Sequence, residues 1–324
     1  MSELIKADIC VIGAGSAGLS VAAGAAQVGA PTVLIEADRM GGDCLNVGCV
    51  PSKSLIAASR IAQQMRSCAA FGIAPVEPEV DMPSIKRHIE AVIAGIAPHD
   101  SVERFEGLGV RVIKAHARFT GPDEVEAGGT RVRARRFVVA TGSRPAAPPI
   151  DGLDGVGFWT NETIFENDVL PEHLIVLGGG PIGVELAQAY RRLGAAVTIL
   201  DIGPILPKDD LELVAVVRAS LEADGVEILE RIEIMRAEPG PALVIRRDGE
   251  ERRVSGSHLL VAAGRRPNVE ELGLEAAGIA HDRRGITVDR GLKTSNRKAY
   301  AIGDVAGGLQ FTHVAGYHAG LVIR

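Results

Sequence analysis

The sequence predicts an α/β protein built on two copies of one three-layer βαβ unit, and three observations predict it. The chain has 324 residues, 46% of them apolar and 23% charged, which suits two packed cores and excludes a disordered chain. A pattern of strand, glycine-rich turn, small-residue helix and second strand occurs twice. In both copies an acid ends the second strand, 23 positions after the first glycine of the turn.

The first copy opens on the apolar run Asp8–Ile12, turns through Gly13, Gly15 and Gly18, and continues as a helix and a strand, Thr32–Ile35, that ends in Glu36. The second opens on Leu174–Leu177, turns through Gly178, Gly180 and Gly183, runs as a helix to Leu193, and ends its strand Val197–Leu200 in Asp201. Such a turn is a dinucleotide fingerprint. Its first glycine makes the tight turn, its second lets the backbone approach a pyrophosphate, and its third lets helix and strand pack closely. The helix N-terminus faces the phosphates and the acid accepts from a ribose. One such run is weak; two in context, each with its acid, give two Rossmann-like nucleotide-binding domains.

Between the copies, Ile56–Met65 and Ile85–Ile96 read as helices. Val110–Ile113, Ala115–Phe119 and Thr130–Ala134 read as short strands. The apolar strand Phe137–Ala140 ends in the small-residue turn Thr141-Gly142-Ser143, and the proline-rich stretch Arg144–Pro149 marks a domain boundary. The second copy closes similarly, Leu259–Ala263 followed by Gly264-Arg265-Arg266-Pro267. A last short strand, Tyr300–Ile302, leads to Gly303 and Asp304, and a helix is expected from about Phe311.

Lys plus Arg is 35 and Asp plus Glu 41, a net charge of −6, so the chain is a poor nucleic-acid binder. Four cysteines do not make a secreted disulfide scaffold. The most apolar stretch, Ala17–Ile35, is broken by Gln27, Gly29 and Pro31 and reads as a helix and a strand, not a membrane span. The N-terminal residues do not read as a signal peptide. A cytoplasmic protein is expected.

Gly41-Gly42-Asp43-Cys44-Leu45-Asn46-Val47-Gly48-Cys49-Val50-Pro51-Ser52-Lys53 follows the first copy. Extended backbone would separate the two cysteine Cα atoms by about 17 Å, whereas a slightly distorted helical turn brings them toward disulfide range. A helix N-terminus also lowers a thiol pKa. Two inert thiols fit the same spacing. Zinc does not, because Cys10 and Cys68 read as core residues and leave only two ligands.

This run resembles the redox-active disulfide signature of the FAD-dependent pyridine nucleotide-disulfide oxidoreductases, the family of dihydrolipoamide dehydrogenase, mercuric reductase and glutathione reductase. The resemblance extends over both fingerprints, the turn at 140–143, and the segments at 263–268 and 301–304. It implies an NAD(P) domain, 149–268, inserted into an FAD domain formed by 1–148 and 269–324. It implies FAD at Gly13, Gly15, Gly18, Glu36, Gly42, Lys53, Thr141, Gly142, Gly303 and Asp304. It implies NAD(P)H at Gly178, Gly180, Gly183, Asp201 and Gly264, with NADH favoured because Asp201 repels a 2′-phosphate. Cys44 and Cys49 would form the disulfide, Cys44 as the interchange thiol and Cys49 beside the flavin. Lys53 would lie near flavin N5 and pair with Glu185. Electrons would pass from the nicotinamide through FAD and the disulfide to a dithiol/disulfide substrate or Hg(II). A cofactor-binding fragment or a redox sensor is the alternative.

Several features depart from the family. Ala23 and Gly24 stand where glutathione-specific members carry arginines, and Pro181 stands where some carry an aromatic gate. Members continue into an interface domain that forms the homodimer and supplies a His–Glu pair. This reading expects that domain to be absent after Arg324, with disulfide turnover poor as a result. His313 is expected to be structural.

Overall fold

The computed structural model describes residues 3–324. The chain divides into two compact units. The first comprises the segment up to Asn46, Ile93–Arg144 and Arg265–Arg324; the second comprises Val47–Val92 and Pro145–Gly264.

The first unit is built on a seven-stranded sheet. Its parallel part runs, edge to interior, Arg111–Lys114, Thr32–Glu36, Leu4–Ile12 and Thr130–Val139, with Ala299–Ala301 parallel to the last. Glu124–Ala127 and Ala117–Gly121 extend it antiparallel. Thr130–Val139 serves both parts, and the sequence reading broke it in two for a physical reason. Its first half alternates buried Val132 and Ala134 with outward arginines, as a one-face-buried strand does, whereas Phe137, Val138 and Val139 are all buried. The acid-rich strand Glu124–Ala127 was not foreseen. Only Val125 and Ala127 point inward, while Glu124 takes Arg133 at 2.9 Å and Arg131 at 3.7 Å. One core contains Phe119 and Phe137, edge to face at 5.2 Å. The other packs Ser16–Gln27 and Thr312–Ile323 over the opposite face.

The second unit carries a four-stranded parallel sheet in the order Glu227–Leu229, Ala196–Leu200, His173–Leu177, His258–Val261. A three-stranded antiparallel sheet, Glu233–Glu238, Ala242–Arg247 and Glu250–Ser255, shares its core. The sequence reading missed this meander, whose apolar alternation is masked by charge; Arg246 pairs with Glu233 at 3.1 Å and Glu251 at 3.0 Å. The helix Leu211–Ala223 was also unread, because Leu211, Leu213 and Val216 are exposed and blur its periodicity.

The helix expected at Ile56–Met65 begins earlier, at Cys49, and runs to Ser67. It packs on Pro181–Leu193. Ser52, Ser54 and Ser59 are buried, their hydroxyls bonded to carbonyls of their own helix at 2.9–3.3 Å, so the helix buries them without unsatisfied groups. Cys10 is fully buried, and burial pushes its thiol pKa up. Cys68 corrects the expectation of a core residue: it is half-buried at the end of the long helix, its Sγ 3.3 Å from the Met65 carbonyl. Among the described residues no helix is long and apolar enough to cross a membrane.

Candidate functional site

Each unit carries one acid-terminated glycine turn, and the two have the same local geometry. In the first, Glu36 Oε2 accepts from the Ala14 N–H at 2.5 Å and Oε1 from the Asp38 N–H at 2.7 Å. In the second, Asp201 Oδ2 accepts from the Gly179 N–H at 2.6 Å and Oδ1 from the Gly203 N–H at 2.7 Å. Ala14 and Gly179 each follow the first glycine; Asp38 and Gly203 each lie two residues past the acid. One carboxylate thus ties the turn to the end of the second strand, and each oxygen keeps a lone pair for a further donor.

The helices that leave the turns, Ser16–Gln27 and Pro181–Leu193, have no acid in their first turn, and Pro181 fills the first helical position. Their N-termini are open to an anion. At Gly18 a Cβ would overlap the Gly13 carbonyl oxygen, and at Gly183 the Gly178 carbonyl oxygen. The third glycine is therefore what lets helix and strand close in both copies. This donor set fits a dinucleotide in each unit.

The cysteines stand on two helices. Cys44 lies in the short helix Gly42–Asn46, which backs onto the first glycine turn: the Gly41 N–H donates to the Ala14 carbonyl at 2.9 Å, and a Cβ on Gly42 would stand 2.7 Å from the Gly15 Cα. Asn46 Nδ2 closes that helix by donating to the carbonyls of Met40 and Gly42 at 3.0 and 2.8 Å. Cys49 opens the helix Cys49–Ser67. Lys53, one turn on, shares its face. Its Nζ donates to Glu185 Oε2 at 2.7 Å, 132 positions away in sequence; the two side chains are 59% and 41% exposed.

In the first unit the turn Thr141–Ser143 meets the segment after Gly264. Thr141 Oγ1 donates to the Asn268 carbonyl at 2.7 Å, Asn268 Nδ2 returns a bond to the Thr141 carbonyl at 2.9 Å, and the Asn268 N–H donates to the Gly142 carbonyl at 3.0 Å. Arg144 bonds Asn268 Oδ1 at 2.7 Å and Glu270 at 3.0 Å. That bond holds the Glu270 carboxyl down to about 2. Asp304 accepts from Ser143 Oγ at 2.6 Å. The Gly303 N–H donates to His318 Nδ1 at 3.2 Å, so that nitrogen carries no proton, and burial lowers the His318 pKa. His313 is exposed and stacks on Phe311 at 5.3 Å.

Sequence reasoning assigned no role to Asp43, Ser143, Arg265 or Asn268 individually, although all four lie inside quoted motifs. Arg231 gave no signal, because it is 30 positions past Asp201. The fold brings its N–H to the Gly203 carbonyl at 3.4 Å, beside the second acid.

A sequence profile described as pyridine nucleotide-disulphide oxidoreductase matches residues 7–319. A mercuric reductase of Streptomyces lividans is 34% identical, with 97% of this chain and 69% of that protein covered. A dihydrolipoyl dehydrogenase of Thermus scotoductus is 35% identical over 92% of this chain and 66% of its own length. For a mercuric reductase of Bacillus cereus the values are 33%, 98% and 51%. The chain thus spans from about half to about 70% of the length of these relatives. The solved HOCl-induced flavoprotein disulfide reductase RclA from Escherichia coli superposes with a TM-score of 0.82 at 27% identity, covering 97% of this chain and 69% of that one. Fold, paired nucleotide turns and sequence agree, and the chain belongs to the pyridine nucleotide-disulphide oxidoreductase family.

Proposed function

We propose that the chain carries the FAD- and NAD(P)H-binding machinery of a disulfide oxidoreductase that works through a redox-active Cys44–Cys49 pair. Its substrate is a dithiol/disulfide, as the name of the dihydrolipoyl dehydrogenase relative suggests, or Hg(II), as the mercuric reductase names suggest. The observation that carries this reading is the repeated acid-and-turn geometry, one copy in each unit, with both cysteines on the segment that follows the first copy. The FAD domain is formed by 1–148 and 269–324 and the NAD(P) domain by 149–268. The full-length protein works in the cytoplasm as a homodimer, with no nucleic-acid or membrane partner.

When bound, FAD supplies the two-electron link between nicotinamide and disulfide. Around it, Gly13 would make the turn, Gly15 and Gly42 would leave backbone room for the pyrophosphate, Gly18 would let the helix close on the strand, Glu36 would accept from the adenosine ribose, and Gly303 and Asp304 would lie at the ribitol chain. Thr141 and Gly142 complete that wall. In the second unit Gly178 would make the turn, Gly183 would let helix and strand close, and Gly180 and Gly264 would leave room for the nicotinamide dinucleotide. Asp201 accepts from its ribose and disfavours a 2′-phosphate, which supports NADH over NADPH. Glu185 orients the Lys53 ammonium.

With the pair reduced, the Cys44 thiolate attacks one sulfur of the substrate disulfide and releases the first substrate thiol. Cys49 then attacks the Cys44 sulfur, releases the second thiol and restores the Cys44–Cys49 bond. NADH would supply the two electrons that return the pair to its dithiol state.

The test reconstitutes the purified chain with FAD, reduces it anaerobically with NADH, and counts thiols. One FAD per chain and two additional thiols on reduction are expected. A protein that takes up no FAD, or gains no thiol, overturns the reading. Parallel assays with lipoamide and Hg(II) choose the substrate class.

A further inference from the structure

Arg265 joins three segments of the first unit that are distant in sequence, at Asp43, Ser143 and Asp304. Its side chain is only 14% exposed. Nε donates to Ser143 Oγ at 2.7 Å, and Nη2 donates to the Ser143 carbonyl at 2.8 Å. Nη2 also pairs with Asp43 Oδ2, and Nε stands 3.8 Å from Asp304 Oδ2. Ser143 Oγ in turn donates to that same Asp304 oxygen. One guanidinium therefore faces two carboxylates, one adjoining Cys44 and the other at the end of the last strand. A planar group with five donors can make these contacts at once; an ammonium cannot.

The charge balance is unusual for a wall that must receive an anion. Asp43 is the acid in the first turn of the Gly42–Asn46 helix, and Gly42 backs directly on the first glycine turn. A carboxylate there opposes a pyrophosphate unless a cation cancels it. We infer that Arg265 is a positioning residue whose work is to neutralise Asp43 and to hold it, Ser143 and Asp304 in one network, so that the first nucleotide site accepts an anionic ligand despite the acid beside Cys44. This rests on the proposed FAD reading and adds the reason Arg265 is needed: it answers Asp43, and it is not required as a direct phosphate ligand.

The two roles separate in a charge cycle. FAD affinity is measured by fluorescence titration on the apoprotein for wild type, Arg265→Met, Asp43→Asn and the double variant, at low and high salt. Arg265→Met is expected to weaken FAD about 10- to 100-fold, with partial relief by salt, and Asp43→Asn by less than about threefold. The double variant is expected to bind about tenfold more tightly than Arg265→Met, because the uncompensated carboxylate is gone. Arg265→Gln, which keeps a donor for Ser143 and loses only the charge, carries the same cycle should the Met variant fail to fold. A double variant no better than the Arg265 single variant overturns the inference and makes Arg265 a direct ligand. An Arg265 variant within threefold of wild type overturns it as well. Failure of the wild-type chain to bind FAD refutes instead the reading beneath it.

Discussion

Alanine at Gly18 and at Gly183 tests the two nucleotide sites independently. At Gly18 the added methyl overlaps the Gly13 carbonyl oxygen and stands 3.0 Å from its carbonyl carbon and 3.2 Å from Val11 Cγ1. At Gly183 it overlaps the Gly178 carbonyl oxygen, at 3.1 Å from its carbonyl carbon and 3.2 Å from Val176 Cγ1. The clash is with backbone, so no side chain can swing aside; the helix must move off the strand. Overpacking of this kind costs about 1–3 kcal/mol. Because the turn that shifts is the one that binds, that cost falls on ligand affinity, about 5- to 150-fold. Gly18→Ala is expected to lower FAD affinity by that factor. Gly183→Ala is expected to leave FAD binding unchanged and to raise the NADH concentration needed for anaerobic flavin reduction. Gly95→Ala is the control: no atom lies within 4 Å of the new methyl, and a helical glycine replaced by alanine stabilises by about 0.5–1 kcal/mol. Wild-type FAD affinity in Gly18→Ala would refute the reasoning, as would loss of FAD in Gly183→Ala with the fold intact.

Asp201→Asn should raise the NADPH-to-NADH preference in flavin reduction at least about tenfold, since the repelling charge is lost; an unchanged ratio removes Asp201 as the selector. Lys53→Met should change thermal stability by less than about 1 kcal/mol, because the Lys53–Glu185 pair is largely exposed, while slowing NADH-driven reduction at least about tenfold. A stability loss without a rate effect would make the pair structural. Cys44→Ser and Cys49→Ser should each abolish the gain of two thiols on NADH reduction, and a gain retained in either breaks the pairing. Burial lowers the pKa of His318 and His258 below the ordinary 6.5, so their contribution to stability is full above that value and is lost as pH falls toward the folded values. Glu270, held near 2 by Arg144, contributes above its ordinary 4.5 and loses that contribution as pH falls from 4.5 toward about 2. Its 38% exposure keeps the effect below about 1 kcal/mol. A melting temperature flat from pH 7 to 3 contradicts both.

What was legible in the sequence was local and repeated. Buried parallel strands are continuous apolar runs, so Cys10–Ile12 and Leu174–Leu177 stood out, and each glycine turn was bounded by strand and helix. The acids Glu36 and Asp201 were legible from spacing alone, because strand and helix lengths in a βαβ unit are fixed by the sheet. What was not legible depended on long-range placement. Arg265 and Asp43 are 222 positions apart, and no periodicity links them. Arg231 comes beside Gly203, two residues past the second acid, only through the sheet order. The charged meander at 233–255 hid its alternation beneath arginine–glutamate pairs.

The ends of the 145–264 stretch of the second unit meet. The Ala146 N–H donates to the Gly264 carbonyl at 3.1 Å, so the stretch begins and ends at one point, and closing it as a loop costs little beyond its own folding. Such a stretch is a natural cassette, able to be exchanged for another nucleotide-binding module with one pair of splice sites. The graft has a second boundary, however, that the splice sites do not reveal. The cysteine helix Cys49–Ser67 lies outside the stretch in sequence yet packs on Pro181–Leu193, and Lys53 of the one pairs with Glu185 of the other. A donor cassette with bulkier residues on that face would pry away the helix that carries Cys49 and Lys53. Transplanting the stretch therefore demands that the surface facing Cys49–Ser67 be matched, and chimeras are best chosen by that match before nucleotide specificity is considered.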